Sequence, residues 1–174
     1  MPLSAKARSV RRVWLLTLAG TAAWLASIFL APWLAGRGRT GAARFVYAIF
    51  APMCHQIPGR CFFLNGHPLA VCGRCLGIYA GFGAGLLLYP LVRGFSRLSV
   101  PSVRLFAALT LPMALDAGGG ILGLWKSPIG LRFATGFVWG TLLPFYFVTG
   151  AADLFRTRAE RRRARALEID GPKK

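Results

Sequence analysis

Cys54–Gly85 reads CHQIPGRCFFLNGHPLAVCGRCLGIYAGFGAG and holds all four cysteines (Cys54, Cys61, Cys72, Cys75) and both histidines (His55, His67) of the chain. Arg60 and Arg74 lie inside the same cluster. Pro58, Gly59, Asn65, Gly66 and Pro68 forbid a long helix across its first half. From Leu69 or Leu76 onward the chain is apolar as far as Val92, and glycine recurs at every fourth position: Gly73, Gly77, Gly81, Gly85. Residues four apart share one helix face, and a stripe of small residues lets two helix backbones approach closely in lipid. The stretch therefore predicts a membrane-spanning helix packed tightly on a neighbour, with sulfur, imidazole and guanidinium at its mouth.

The rest of the chain agrees with a membrane setting. It is 55% hydrophobic and only 16% charged, against about 25% charged in an ordinary soluble domain. A net charge of +17 could suggest nucleic acid. The basic residues, however, fall between long apolar runs or at the tips, as in a polytopic membrane protein, and this argues against nucleic acid as a partner. Residues 1–12 read as a short solvated leader. Val13–Leu34 is an uncharged run of 22 residues, enough to cross a hydrocarbon core of about 30 Å. It is also longer than the apolar stretch of about 7–15 residues in a signal peptide. Gly36–Gly41 is a turn-like break, and Ala42–Met53 is apolar but too short to span, suggesting an interfacial or re-entrant helix that ends near Pro52. The second span ends near Val92 and a basic loop follows at Arg93–Arg104. Leu105–Trp125 is the third span, interrupted by Pro112, Asp116 and Gly118–Gly120, and Ile129–Phe147 is the fourth. The expected fold class is all-α: about four transmembrane helices, a short interfacial helix and a Cys/His-rich loop at 54–75. Residues 1–155 form one transmembrane domain, and 156–174 a basic cytoplasmic tail whose natural partners are anionic lipid headgroups.

Four spans put both termini on one side. The leader, the loop between the second and third spans and the tail together carry 15 Lys and Arg, and the opposite side carries 7. The more basic side faces the cytoplasm, so the Cys/His loop is expected on the extracytoplasmic face.

Three chemistries fit the cluster. In C-H-x5-C-x10-C-x2-C, the two residues between Cys72 and Cys75 let both sulfurs reach one ion, and Cys54 with His55 or Cys61 could complete a tetrahedral set. Pure S/N donors favour zinc, copper(I) or iron over magnesium or calcium, and zinc is the transition metal expected first. Cys54 and His55 are sequence neighbours whose side chains diverge in most backbones, which leaves His55 as an outer ligand or a proton carrier. On an oxidising face the same four cysteines could instead form structural disulfides. A third reading is a thiol oxidoreductase using Cys72 and Cys75, because Arg74 between them would lower a thiol pKa.

Asp116 is costly inside a span and calls for a partner; Arg132, Arg74 and Arg60 are the candidates. A charge pair roofed by the Cys/His loop could bind a small polar ligand, with Gln56, Tyr79 and Thr135 as possible lining or as ordinary interhelical hydrogen-bonding groups. The five tryptophans read as interfacial belts and packing.

These motifs resemble a family of small prokaryotic membrane proteins, domain of unknown function 2085. The resemblance rests on Cys54-His55-Gln56, Arg60, Cys72, Arg74-Cys75, Gly77-Ile78-Tyr79, Gly81, Asp116, Arg132 and Thr135-Gly136, and covers about residues 45–145. It implies a multi-pass protein of a bacterial or archaeal plasma membrane, with Cys54, His55, Cys72 and Cys75 as its signature and Cys61 outside the essential set. Ala117-Gly118-Gly119 departs from the more polar stretch expected after the Asp. The resemblance implies no particular reaction, so whether the protein is an enzyme stays open.

Overall fold

The computed structural model describes residues 5–95 and 101–169 and is almost entirely helical. Five helices follow in order: α1 (Ala5–Gly36), α2 (Thr40–Phe50), α3 (Gly73–Val92), α4 (Val103–Ile121) and α5 (Ile129–Ile169). Three of them are long and apolar enough to cross a membrane: α1 over Ala7–Gly36, α3 over its whole length and α5 over Ile129–Phe155. The expected third span, α4, is not among these three. It has 19 residues, includes Arg104 and Asp116, and carries in its last turn three glycines that add little apolar surface.

The glycine stripe organises the structure. A Cβ placed on Gly77, Gly81 or Gly85 would run into the backbone at Phe133, Phe137 and Thr141 respectively, well inside 3.0 Å. The reverse also holds: Gly136 faces the Arg74 carbonyl and Gly140 faces Ile78. Each step of four on α3 meets a step of four on α5 in the same direction, so the two helices run parallel. Close backbone approach of this kind is what small residues make possible in lipid, where packing and not water exclusion drives association.

The other helices wrap this pair. At one end, Val10 and Val13 of α1 pack with Leu86, Tyr89, Val148 and Ala152, and the Trp14 indole donates to the Leu86 carbonyl at 2.7 Å. At the other end, Ile28, Ala31 and Leu34 pack with Ala43, Val46 and Phe50 of α2 and with Leu69–Val71. Thus α1 runs antiparallel to α3. On the far side α4 runs antiparallel to α5: Trp139 donates to Thr110 at 3.0 Å, and the Tyr146 hydroxyl donates to the carbonyls of Pro101 and Ser102. Ser102 caps α4, its hydroxyl accepting from the Leu105 N–H.

Several segments differ from the sequence expectation. The expected solvated leader is helical from Ala5, because Ala7 and Val10 are buried. Residues 1–4 of that leader lie outside the described residues. Helix α3 begins at Gly73, between the two expected starts at Leu69 and Leu76, since Leu69–Val71 form an irregular, bent segment buried against α1. Gly118–Gly120 does not interrupt α4, which continues to Ile121. Helix α5 runs past the expected end of the fourth span and through the basic tail to Ile169. Residues 96–100 of the basic loop and 170–174 of the tail also lie outside the described residues.

Candidate metal centre

The Cys/His loop is folded by short local devices. Tyr47 of α2 donates through its hydroxyl to the Pro68 carbonyl at 2.6 Å. Pro58–Arg60 forms one 3-10 turn, and a minimal hairpin pairs β1 (Phe63–Leu64) with β2 (His67–Pro68). Its two-residue loop, Asn65-Gly66, has φ of 52° and 76°, as a type I′ turn requires and an Asn-Gly pair readily supplies. That signal stands in the sequence and could have located the hairpin. Gln56 is also left-handed, with φ 51°. Its side-chain amide holds it there, donating to the carbonyls of Tyr47 (2.8 Å) and Ala70 (2.9 Å). Gln56 therefore ties the end of α2 to the segment leading into α3, and its role is to fix the backbone beside Cys54.

This arrangement turns Cys54 inward and leaves His55 exposed. Cys72 occupies the N-cap of α3, and Cys75 stands in the first turn. N-cap and third helical position share one end of a helix, the geometry that lets a capping side chain meet the first turn. Cys54, Cys72 and Cys75 converge there, with Sγ atoms all within 4.8 Å of one another. The Cys72 N–H donates to Cys54 Sγ at 3.1 Å. All four cysteines are free thiols. The Cys72 thiol is held well below its ordinary pKa, first by hydrogen bonding with the Cys54 and Cys75 side chains, then by the backbone N–H groups of Cys75 and Arg74. Burial acts against this shift. A thiolate at a helix N-terminus is favoured by the same unpaired N–H groups that favour any anion there.

Cys61 is close in sequence and apart in role. It is buried, and its thiol donates to the Ile57 carbonyl at 3.2 Å. Burial first, then the negative charge of Cys54 and Cys72, pushes its pKa up to about 12. Its sulfur is not among the three that converge.

His55 is not one of the three converging groups; it lines a pocket of about 190 Å³ that they also line, together with Gln56, Arg60, Arg74 and Arg132. Asp116 is buried within α4 and paired with Arg74 of α3, 42 residues away, and it also accepts a hydrogen bond from the Ser127 hydroxyl. Ser127 was not anticipated; nothing in its Lys-Ser-Pro context distinguishes it from an ordinary turn residue. Arg132 is 8% exposed and donates from Nε to the Ser127 carbonyl at 3.0 Å. Tyr79 lies elsewhere: its ring packs edge-on against Trp24, with centroids 5.8 Å apart, and it borders an apolar groove. The Thr135 hydroxyl bonds back to its own helix, to the carbonyls of Leu131 and Arg132.

Comparison with known proteins agrees with the membrane architecture. The chain is 36% identical over 144 residues to an uncharacterised protein of Methanocaldococcus jannaschii, covering 80% of this chain and 92% of that one. It is 34% identical over 87 residues to an uncharacterised protein of Methanothermobacter thermautotrophicus, covering 50% of this chain and 77% of that one. No solved structure matches. The family of predicted membrane proteins DUF2085 matches residues 54–146, a span that begins at the first cysteine of the cluster and ends beyond the glycine stripe of α5, and the chain belongs to that family.

Proposed function

We propose that the protein is a four-span membrane protein that holds a transition metal ion, zinc by preference, on Cys54, Cys72 and Cys75 at the extracytoplasmic end of the bundle. The observation that carries this reading is the convergence of three sulfurs within 4.8 Å of one another. Thiolates about 2.3 Å from a tetrahedral zinc stand roughly 3.8 Å apart, so small side-chain adjustments close this trio on one ion. The backbone N–H on Cys54 Sγ and the helix end facing Cys72 are the contacts that support charged sulfur. Three protein ligands leave a fourth position, where a bound divalent ion supplies Lewis acidity to water or to a ligand. His55, exposed beside the trio, is placed to act on such a ligand and not as one of the converging donors.

The direct test is metal analysis of protein purified without chelators. About one ion per chain is expected, with thiols that become fully titratable once a strong chelator removes it. Absence of stoichiometric metal together with absence of free thiols would sink the reading and favour disulfides.

The four-span topology rests on α4 running antiparallel to both α3 and α5 and rising about 28 Å over 19 residues. Its charged residues lie near its ends or turned to the bundle, Asp116 being buried against Arg74. The 15-to-7 bias in basic residues sets the termini in the cytoplasm. A cysteine added at the C-terminus should react with an impermeant maleimide only after lysis; labelling of intact cells would invert the topology.

A further inference from the structure

The pocket that the three thiols line has an unusual further wall. Arg60, Arg74 and Arg132 all line it. Asp116, their carboxylate neighbour, is already engaged by Arg74 and Ser127. Buried guanidinium groups ordinarily find acceptors for their donors, because an unpaired one retains its desolvation cost. Here they do not. Arg74 Nε is fully buried with no partner. Arg132, 8% exposed, bonds through Nε alone, leaving both Nη groups without a protein acceptor among the described residues. The Arg60 side chain makes no hydrogen bond at all among these residues, although it borders the same space.

We infer that this pocket is an oxyanion-binding site of the phosphate class, with Arg132 as its buried anchor and Arg60 as its outer clamp. Three guanidiniums against one carboxylate leave an excess of two positive charges, which suits a phosphate or a phosphate monoester. A divalent ion on three thiolates carries one negative charge, and the balance of the pocket then stays positive. Planar forks of N–H donors suit phosphate oxygens better than any other common side chain does. The volume, about 190 Å³, leaves room for a substituent on the phosphate. Ile78 borders both this pocket and the apolar groove between α1, α3 and α5, which measures about 640 Å³. A phosphate carried on a lipid headgroup could therefore enter from the groove, and a water-soluble phosphate from the open side. The inference rests on the arginines and goes beyond the metal reading.

The test uses the full chain in detergent at fixed ionic strength, with inorganic phosphate as the probe in calorimetry. Saturable binding is expected, weakened at least about tenfold in Arg132→Gln, the loss appropriate to a hydrogen bond to a charged group. Arg132→Lys should recover part of it. Arg60→Gln, at an exposed position with no side-chain hydrogen bond among the described residues to lose, should weaken binding several-fold without affecting folding, and it keeps the test readable if Arg132→Gln fails to fold. Arg37→Gln, whose guanidinium stacks on Trp33, should bind as wild type does. For the lipid source, phosphatidylcholine vesicles with and without phosphatidic acid replace free phosphate. Preference for phosphatidic acid that vanishes in the arginine variants assigns the headgroup, and binding of free phosphate alone assigns a soluble ligand. No binding of either probe, or equal weakening by Arg37→Gln, overturns the site. Metal-free Cys72→Ser separates the two readings: it should still bind phosphate, and loss of phosphate binding with the metal would place the anion on the ion and overturn the arginine assignment.

Discussion

Cys72→Ser should strip metal from the protein, and Cys54→Ser and Cys75→Ser should do the same, while Cys61→Ser should leave it bound. Serine nearly matches cysteine in shape but is a far poorer ligand for a borderline or soft ion. With three converging thiols, loss of any one leaves two donors and an open shell. Disturbing groups that merely orient a ligand costs about 10–100-fold in metal affinity, so removing a ligand should cost roughly a hundredfold or more. Cys61 makes the contrast informative. It lies in the same loop and is as buried as Cys54, yet its thiol donates to the Ile57 carbonyl and its sulfur stands outside the converging trio. If the loop merely needed its cysteines for packing, Cys61→Ser would be as damaging as the others. A disulfide scheme forecasts a different pattern: two substitutions sharing a bridge would behave alike and free the partner thiol, and reductant instead of chelator would destabilise the loop. Metal content by elemental analysis, read beside a free-thiol count for the four variants, distinguishes the patterns. Metal retained in Cys72→Ser would remove the trithiolate site.

What the sequence made legible follows from how local each signal is. The Cys72-x-x-Cys75 pair could be read because both residues belong to one helical turn. The glycine period could be read because it is a repeat of four on one face. The partner of that face could not: Gly136 and Gly140 form only a single step on α5, and parallel alignment with α3 depends on α4 returning the chain. Asp116 declared a need for a partner by being a carboxylate in an apolar run, and three arginines were equally eligible. Only the helix packing brings Arg74 to it, and only the turn before α5 adds Ser127. The leader and Gly118–Gly120 were misjudged for one reason. Polar or helix-breaking composition lowers local helix propensity, yet tertiary contacts and a continuous backbone ladder overrode it. In the leader the contact is the burial of Val10; at Gly119 it is the Trp125 ring, which a Cβ would strike. His55 follows from adjacency alone: a residue next to the inward-turned Cys54 is expected to diverge from it, and His55 is exposed and outside the converging trio.

The packing of α3 on α5 yields a second large effect, and it can be isolated by one substitution made at two positions of the same helix. Gly81→Ala should destabilise the protein, whereas Gly83→Ala should be neutral or stabilising. At Gly81 an added Cβ would meet the Phe137 backbone well inside 3.0 Å, and backbone cannot rotate away as a side-chain tip can. The two helices would have to separate, and every contact along the stripe would weaken with distance. Overpacking of this kind costs about 1–3 kcal/mol, and Gly81→Leu should cost more. Gly83 lies two residues on and faces α1, where a Cβ would sit 3.5 Å from Leu25 Cδ1 and 3.6 Å from Thr21 Cγ2, ordinary van der Waals distances. There the methyl adds contact and removes the glycine penalty, worth about 1 kcal/mol in a helix interior. Leu87→Ala, at a position 61% exposed, serves as a mild reference. Thermal unfolding of the purified variants in one detergent should place Gly81→Ala below wild type and Gly83→Ala at or above it. Equal melting temperatures for the two alanine variants would mean that α3 and α5 do not meet backbone to backbone, and that the glycine period serves some purpose other than contact.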